Sequence, residues 1–168
     1  MNLILCGMMG AGKTTVGIKI AEKLGRRWYD TDEVITQKYG KITDIFAKNG
    51  EAYFRTLETQ TVKELAKNDN LILSVGGGLV LKQENVDILK QNGQIVYLRA
   101  AKQTLIHRLQ ADKDRPLLQG ENLEEKIENL LSTRAPIYEK AADYRVDVDE
   151  KTPDEVADEI LTIMAKKV

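Results

Sequence analysis

The sequence predicts an α/β domain in which parallel strands alternate with helices, and three observations carry this prediction. Short apolar runs alternate with longer segments of helical periodicity. The first run, residues 3–6, leads into the glycine-rich stretch GMMGAGKTT. The length of 168 residues, with 42% hydrophobic and 30% charged residues, suits one domain with a proper core. We therefore expect a single domain over residues 1–168.

Five apolar runs are predicted to form the strands. They are residues 3–6, 28–29, 71–75, 95–98 and 144–148. Gly25 and Gly93 follow helical patterns, where a glycine commonly ends a helix. Thr152, followed by Pro153 and by Glu155, has the residue types of an N-cap, a first helical turn and a capping box. Asn122 is predicted to cap a further helix in the same way.

The charge and composition disfavour several classes of protein. A net charge of -1 and an isoelectric point near 6.0 give no general attraction to nucleic acid, so any anion site must be local. No apolar run approaches the ~20 residues that a membrane span needs. The only cysteine, Cys6, lies in an apolar run and is interpreted as a buried thiol. We expect a cytoplasmic protein that binds neither nucleic acid nor a membrane.

One polar segment interrupts the alternation of strands and helices. Residues 111–122, with the sequence ADKDRPLLQGEN, contain a proline and a glycine and link two helical patterns. We interpret them as a mobile loop. It is a simple connector if it stands alone, and a lid if it lies over a site.

The glycine-rich stretch matches the phosphate-binding loop, or P-loop, of nucleoside triphosphate sites. The pattern Gly, four residues, Gly-Lys-Ser/Thr is met by Gly7, Gly12, Lys13 and Thr14, between a predicted strand and a predicted helix. In such a loop the backbone amides and the helix N-terminus bind phosphates, the lysine reaches the β- and γ-phosphates, and the hydroxyl supplies an oxygen to Mg²⁺. The predicted nucleotide contacts are Gly10, Ala11, Gly12, Lys13, Thr14 and Thr15.

A P-loop alone does not separate a kinase from a switch or a passive binder, so an acceptor site is needed. The stretch WYDTD places Asp30 and Asp32 two residues apart after a predicted strand. Phosphoryl transfer uses a carboxylate on the metal side and often a second one at the accepting hydroxyl, and this pair suits both roles. Solvated turn carboxylates are the alternative. Glycines 76, 77 and 78 permit close approach of a small ligand or form a flexible turn.

Three arginines add a separate signal: Arg55, Arg115 and Arg134. A guanidinium binds a carboxylate or a phosphate through two points, although single arginines are commonly solvated at the surface. Arg55 precedes Glu58 by three residues on a predicted helix, a spacing that holds its head in place. Phe46 and Phe54 are either plain core residues or a wall behind a small ring.

These motifs, taken in order, resemble the shikimate kinase family over nearly the whole chain. The matching segments are GMMGAGKTT, DTD, IFAKNGEAYFRTLE, LSVGGG, RPLL and RAPIYEKAADYRVD. The resemblance implies a P-loop kinase fold with three α/β/α layers, a five-stranded parallel sheet in the order 2-3-1-4-5 and a mobile lid. It also implies phosphorylation of the 3-hydroxyl of shikimate by ATP with Mg²⁺, in chorismate and aromatic amino-acid biosynthesis. A monomer is the family default.

The resemblance also implies a role for individual residues. Asp30 and Thr14 match the metal side, and Asp32 matches the residue at the accepting hydroxyl. Lys13, Asp32 and Arg115 match catalytic positions, Arg115 being the arginine of the lid. Shikimate contacts are implied, within a helical region of about 31–60 and beyond it, for Asp32, Phe46, Phe54, Arg55, Gly76, Gly77, Gly78 and Arg134. Adenine contacts are implied for Arg108 and Pro153.

Two rival functions remain open from the sequence. One is another small-molecule P-loop kinase, acting on gluconate or on a nucleoside monophosphate. The other is a regulatory module that binds ATP without transferring a phosphoryl group. The two arginines of the acceptor site, together with DTD and GGG, favour an anionic polyol ring as acceptor.

Overall fold

Strands and helices alternate within residues 1–111 and 122–166, which the computed structural model describes. The elements are β1 Asn2–Cys6, α1 Lys13–Leu24, β2 Trp28–Asp30, α2 Thr31–Tyr39, α3 Ile42–Asn49, α4 Glu51–Leu65, β3 Ile72–Ser74, a 3₁₀ turn Leu79–Leu81, α5 Gln83–Gln91, β4 Gly93–Arg99, α6 Lys102–Ala111, α7 Leu123–Ala141, β5 Tyr144–Asp147 and α8 Pro153–Ala165. All five predicted strands are confirmed. The lid prediction, apart from Ala111 and Asn122 at its ends, lies outside the described residues, and so does Arg115.

The strands form one parallel sheet in the order β2-β3-β1-β4-β5, as predicted. β1 lies at the centre and pairs with β3 on one side and β4 on the other. All five residues of β1 are buried, and successive side chains of a strand point to opposite faces. Both faces of the sheet are therefore covered by helices, which gives the three layers of an α/β/α fold.

A second, smaller core lies away from the sheet. Ile35 of α2, Ile45 of α3, and Phe54 and Leu57 of α4 are buried together, with Ile42 packed against them. This cluster joins the three helices that follow β2. The prediction that a helical region of about 31–60 binds the acceptor stays a prediction, and it is argued below.

Three adjacent strands end at the same edge of the sheet, each followed by one of the predicted motifs. Leu5 near the end of β1 and Asp30 at the end of β2 are both in register with Ser74 at the end of β3. Because parallel strands share an edge at their carboxyl ends, the P-loop, the DTD stretch and the glycines after β3 lie side by side.

Some of the predicted helix ends are present in the structure and others are not. Gly25 ends α1 with φ of 62°, and Thr152 forms the predicted capping box with Glu155 at the start of α8. Asn122 precedes α7, but its side chain makes no capping hydrogen bond, because the residue adopts a left-handed conformation with φ of 77°. Gly93 does not end a helix. It is the first residue of β4, since α5 already stops at Gln91.

The only cysteine of the sequence is buried, as predicted. The Cys6 side chain is buried at the end of β1, and burial raises the pKa of its thiol to about 12. His107 is exposed on α6. Within the two described ranges, no helix has both the length and the apolar character that a bilayer span requires.

Candidate active site

A cavity of about 680 Å³ lies at the carboxyl edge of the sheet. The P-loop forms one wall, and the segments after β2, β3 and β5 contribute further walls together with α4, α6 and α7. Predicted site residues that line it are Gly10, Ala11, Gly12, Lys13, Thr14, Thr15, Asp30, Asp32, Phe54, Arg55, Gly76, Gly77, Gly78, Arg108, Arg134 and Pro153. The fold thus brings together residues that are far apart in the sequence.

The P-loop has the backbone shape that an anion cradle needs. Gly10 and Gly12 have φ of 85° and 98°, a region that residues with a side chain rarely adopt. The Lys13 ammonium donates a hydrogen bond to the Gly7 carbonyl, and Nη1 of Arg108 donates to the Gly10 carbonyl at 3.0 Å. Two cations therefore border a loop that is followed directly by the N-terminus of α1.

The first aspartate of the DTD stretch uses its two oxygens differently. Oδ1 of Asp30 accepts hydrogen bonds from the Asp32 amide at 2.9 Å and the Glu33 amide at 3.2 Å, and so caps α2. Its Oδ2 accepts a hydrogen bond from the Thr14 hydroxyl at 3.2 Å. A carboxylate oxygen and a hydroxyl are thereby held beside each other at the end of the P-loop. Hard oxygen donors of this kind suit Mg²⁺, which keeps several waters and needs few protein ligands.

The second aspartate lies against the glycines that follow β3. Asp32 lies in the first turn of α2, and its Oδ1 would be 2.7 Å from a Cβ placed on Gly76. The Gly76 amide donates a hydrogen bond to Thr31 Oγ1 at 3.0 Å, which ties this turn to the start of α2. A side chain at position 76 would therefore displace the Asp32 carboxylate.

The other two glycines each lie under a guanidinium. A Cβ on Gly78 would overlap the Arg55 guanidinium, and a Cβ on Gly77 would be 3.1 Å from Nη1 of Arg134. The turn therefore presents bare backbone to one carboxylate and two guanidinium groups. This arrangement combines two fixed positive charges with a carboxylate in one half of the cavity.

Arg55 is held by two glutamates of its own helix. Nη1 donates to Glu58 Oε1 at 2.7 Å, and Nη2 donates to Glu51 Oε1 at 3.2 Å. Burial lowers the pKa of Arg55, but hydrogen bonds and charge from Glu58 and Glu51 outweigh this effect and the pKa is raised. The guanidinium also lies 5.5 Å from the centre of the Phe54 ring. Arg55 therefore keeps its charge and a defined direction.

One predicted site residue does not reach the cavity wall. Phe46 is 37% exposed on α3 and packs against the Phe54 ring at a centroid distance of 5.0 Å, while Phe54 lines the cavity. Phe46 thus supports the wall from behind in this structure, because Ile42, one turn earlier on α3, lines the cavity instead.

Several contributors escaped the sequence reasoning. Tyr138 is fully buried and donates a hydrogen bond to the Gly77 carbonyl at 2.5 Å. Its spacing of four residues from Arg134 on a helix was the available signal. Trp28 Nε1 donates to Ser74 Oγ at 3.0 Å, and Ser74 Oγ donates to the Lys13 carbonyl at 2.7 Å. No local sequence pattern predicts a contact between residues so distant in the chain.

Comparison with known proteins gives the family. The family model described as shikimate kinase matches residues 9–165. The chain belongs to the shikimate kinase family. A shikimate kinase of Thermodesulfovibrio yellowstonii is 45% identical over 161 residues, which cover 95% of this chain and 92% of the relative. A shikimate kinase of Acinetobacter baumannii is 43% identical over 97% of this chain and 91% of the relative.

Solved structures of the family agree with this assignment. The shikimate kinase of Acinetobacter baumannii, solved in complex with shikimate, superposes with a TM-score of 0.92 at 42% identity and covers 99% of this chain and 93% of that one. The Aquifex aeolicus enzyme gives 0.86 at 37% identity, covering 99% and 98%. The deoxyadenosine kinase of M. mycoides, at 0.68 and 20% identity over 98% and 100%, shares the fold alone.

Proposed function

We infer that this protein is a shikimate kinase, which transfers the γ-phosphoryl group of ATP to the 3-hydroxyl of shikimate and releases ADP. The observation that carries this conclusion is the division of the cavity. One half has the P-loop with Lys13, and the other has Arg55 and Arg134 beside Asp32. An anionic polyol suits the second half, because guanidinium groups bind its carboxylate and a carboxylate binds a hydroxyl.

In the nucleotide half, we assign the phosphates to the P-loop amides and to Lys13. Arg108 and Pro153 line the cavity beside the loop and are assigned to the adenosine end. Thr14 and Asp30 would hold Mg²⁺, Asp30 through water, and the ion would supply positive charge that offsets the charge of the nucleotide phosphates. The hydroxyl and Oδ2 lie 3.2 Å apart, which supports this pairing.

In the acceptor half, we assign the shikimate carboxylate to Arg55 and Arg134. Asp32 accepts a hydrogen bond from the 3-hydroxyl and takes its proton as the oxygen attacks phosphorus. Glycines 76, 77 and 78 allow the ring to approach the backbone, and Phe54 closes the wall. The transfer is in line and uses no covalent phosphoenzyme. Positioning and charge therefore supply most of the catalysis.

Three further parts of the proposal carry over expectations from the sequence. Arg115 in the segment 111–122 closes over the transferring phosphoryl group, and this assignment stays a prediction because the residue lies outside the described ranges. The protein acts as a monomer in the cytoplasm. Light scattering during gel filtration measures the oligomeric state.

The decisive experiment measures ADP release with ATP and Mg²⁺ in the presence of shikimate, of gluconate and of no acceptor. Strong release with shikimate alone, lost in Lys13→Ala, supports both halves of the site together. Release that shikimate does not increase would overturn the acceptor assignment. Release with gluconate instead would assign the protein to another class of small-molecule kinase.

A further inference from the structure

Tyr138 joins the acceptor half of the cavity to the P-loop. Its side chain is fully buried on α7, and its hydroxyl donates to the Gly77 carbonyl at 2.5 Å and lies 4.0 Å from Sδ of Met8 in the P-loop. Its ring packs on the ring of Tyr97 in β4 at a centroid distance of 5.1 Å. One buried side chain therefore contacts the glycine turn, the P-loop and the central sheet.

The hydrogen bond to Gly77 fixes the direction of a peptide group. A trans peptide is planar, so its N–H points opposite to its carbonyl, and the described residues contain no cis bond. With the Gly77 carbonyl directed at Tyr138, the Gly78 N–H points to the other side. Arg55 lies against Gly78 and also lines the cavity. The Gly78 amide is thus turned from the core toward the acceptor half.

The amides of this turn differ in their partners. The Gly76 amide donates to Thr31, whereas the amides of Gly77 and Gly78 have no acceptor among the residues of the described ranges. Gly78 is buried, and a buried amide is costly to leave without a partner. A ligand hydroxyl in the cavity would satisfy the Gly78 amide.

Tyr138 also lies close to Arg134, the second arginine of the acceptor half. Tyr138 and Arg134 are four residues apart on α7 and share a face of the helix. A Cβ on Gly77 would be 3.1 Å from Nη1 of Arg134 and 3.6 Å from the Tyr138 hydroxyl. Burial raises the pKa of Tyr138 to about 12, so the hydroxyl remains a hydrogen-bond donor at neutral pH.

We propose that Tyr138 is a positioning residue for the acceptor, because its hydroxyl fixes the peptide between Gly77 and Gly78 so that the Gly78 amide binds a ring hydroxyl of the substrate. The inference rests on the proposed function, since it concerns the same cavity. It assigns to Tyr138 and to the Gly78 amide a part in acceptor binding and none in binding ATP.

The test compares Tyr138→Phe with Tyr97→Phe. Phe at position 138 keeps the ring and its packing on Tyr97 and removes only the hydroxyl, while the control removes a hydroxyl from the adjacent ring. We expect Tyr138→Phe to raise the KM for shikimate about fivefold to tenfold, the usual effect of one lost hydrogen bond, with the KM for ATP unchanged. Tyr97→Phe should leave both values near those of the wild type.

Shikimate analogues that each lack one non-reacting ring hydroxyl sharpen the test. For one of these analogues, Tyr138→Phe should change the KM little, because the hydroxyl that the Gly78 amide binds is already missing. An equal rise in KM with every analogue would overturn the assignment. Equal increases in the KM for shikimate and the KM for ATP would also overturn it. Thermal unfolding of each variant separates these effects from a general loss of stability.

If Tyr138→Phe fails to fold, hydrogen exchange of the Gly78 amide in the wild-type protein still tests the proposal. We expect shikimate to slow this exchange and ATP to leave it unchanged. Exchange that shikimate does not slow would overturn the proposal. If the wild type itself shows no shikimate-dependent ADP release, the proposed function falls and this inference falls with it.

Discussion

Arg55 donates a hydrogen bond at 2.7 Å to Glu58, a glutamate that is only 1% exposed. Its second nitrogen donates to Glu51, whose side chain is 67% exposed. The buried carboxylate fixes the direction of the guanidinium, and the exposed one occupies a donor that a ligand carboxylate can take over. The pair with Glu58 therefore prepares Arg55 for an anionic acceptor.

Replacing Arg55 with lysine should weaken acceptor binding selectively. An ammonium cannot bond to Glu58 and offer a planar fork to a carboxylate at the same time. We expect Arg55→Lys to raise the KM for shikimate about tenfold or more, as loss of a charged hydrogen bond predicts, with the KM for ATP unchanged. Steady-state kinetics measure both values, with Arg27→Lys at an exposed position as the control. Equal affinity for shikimate would contradict the carboxylate assignment.

The stability of the protein should depend on pH through Glu58. Burial raises the pKa of this carboxyl more than Arg55 lowers it, and the burial penalty falls on Glu58 because Arg55 is 26% exposed. The folded state thus favours the protonated acid. The stabilisation that the raised pKa of Glu58 gives the folded state is complete below the ordinary glutamate pKa of about 4.3. It is lost as the pH rises through the raised pKa of the folded state.

We therefore expect the free energy of unfolding of the wild type to fall relative to Glu58→Gln as the pH rises from about 4 to about 7. Urea unfolding at a series of pH values measures this difference. Glu51→Gln removes an exposed glutamate from the same helix and should show no such trend. A constant or rising difference for Glu58→Gln would refute the prediction.

Asp32→Asn should reduce turnover while preserving the fold. The amide keeps the shape that fits against Gly76 but cannot take a proton from the acceptor. We expect kcat to fall roughly 10²-fold or more, the common size of an acid–base contribution. Glu33→Gln, at the next and exposed position of α2, serves as the control. A kcat close to that of the wild type would remove Asp32 from the chemistry.

Trp28→Phe should weaken nucleotide binding from a distance. The indole N–H bonds to Ser74 Oγ, so the hydroxyl proton of Ser74 is directed at the Lys13 carbonyl in the first turn of α1. Without that donor the hydroxyl turns freely, and we expect the KM for ATP to rise about threefold, with no change for shikimate. Tyr29→Phe in the same strand is the matched control. An unchanged KM for ATP would show that the first turn does not depend on this contact.

The sequence predicted those parts of the site that local patterns encode. The P-loop follows from Gly12, Lys13 and Thr14 between a strand and a helix, and Asp30 and Asp32 follow from their place after β2. All these residues line the cavity because parallel strands bring their carboxyl ends to one edge. The sheet order itself came from the resemblance to the family, since short buried strands carry no signal for their neighbours.

The remaining features depend on long-range packing. Neither the bond from Tyr138 to Gly77 nor that from Trp28 to Ser74 is visible locally, because each joins elements whose spacing is set by the sheet. Phe46 lies behind Phe54 since the face that a short helix buries depends on its neighbours. Asn122 has the composition of a cap without its geometry, which a left-handed backbone rules out.

Cys6, the only thiol, lies fully buried at the end of β1, immediately before the P-loop. Alkylating reagents need an accessible thiolate, so they modify this residue only when the sheet edge opens. The rate of alkylation of Cys6 therefore reports how often the sheet edge opens. ATP binds the P-loop, which directly follows Cys6. The rate of alkylation with and without nucleotide therefore measures how strongly ATP binding suppresses the opening of the sheet edge.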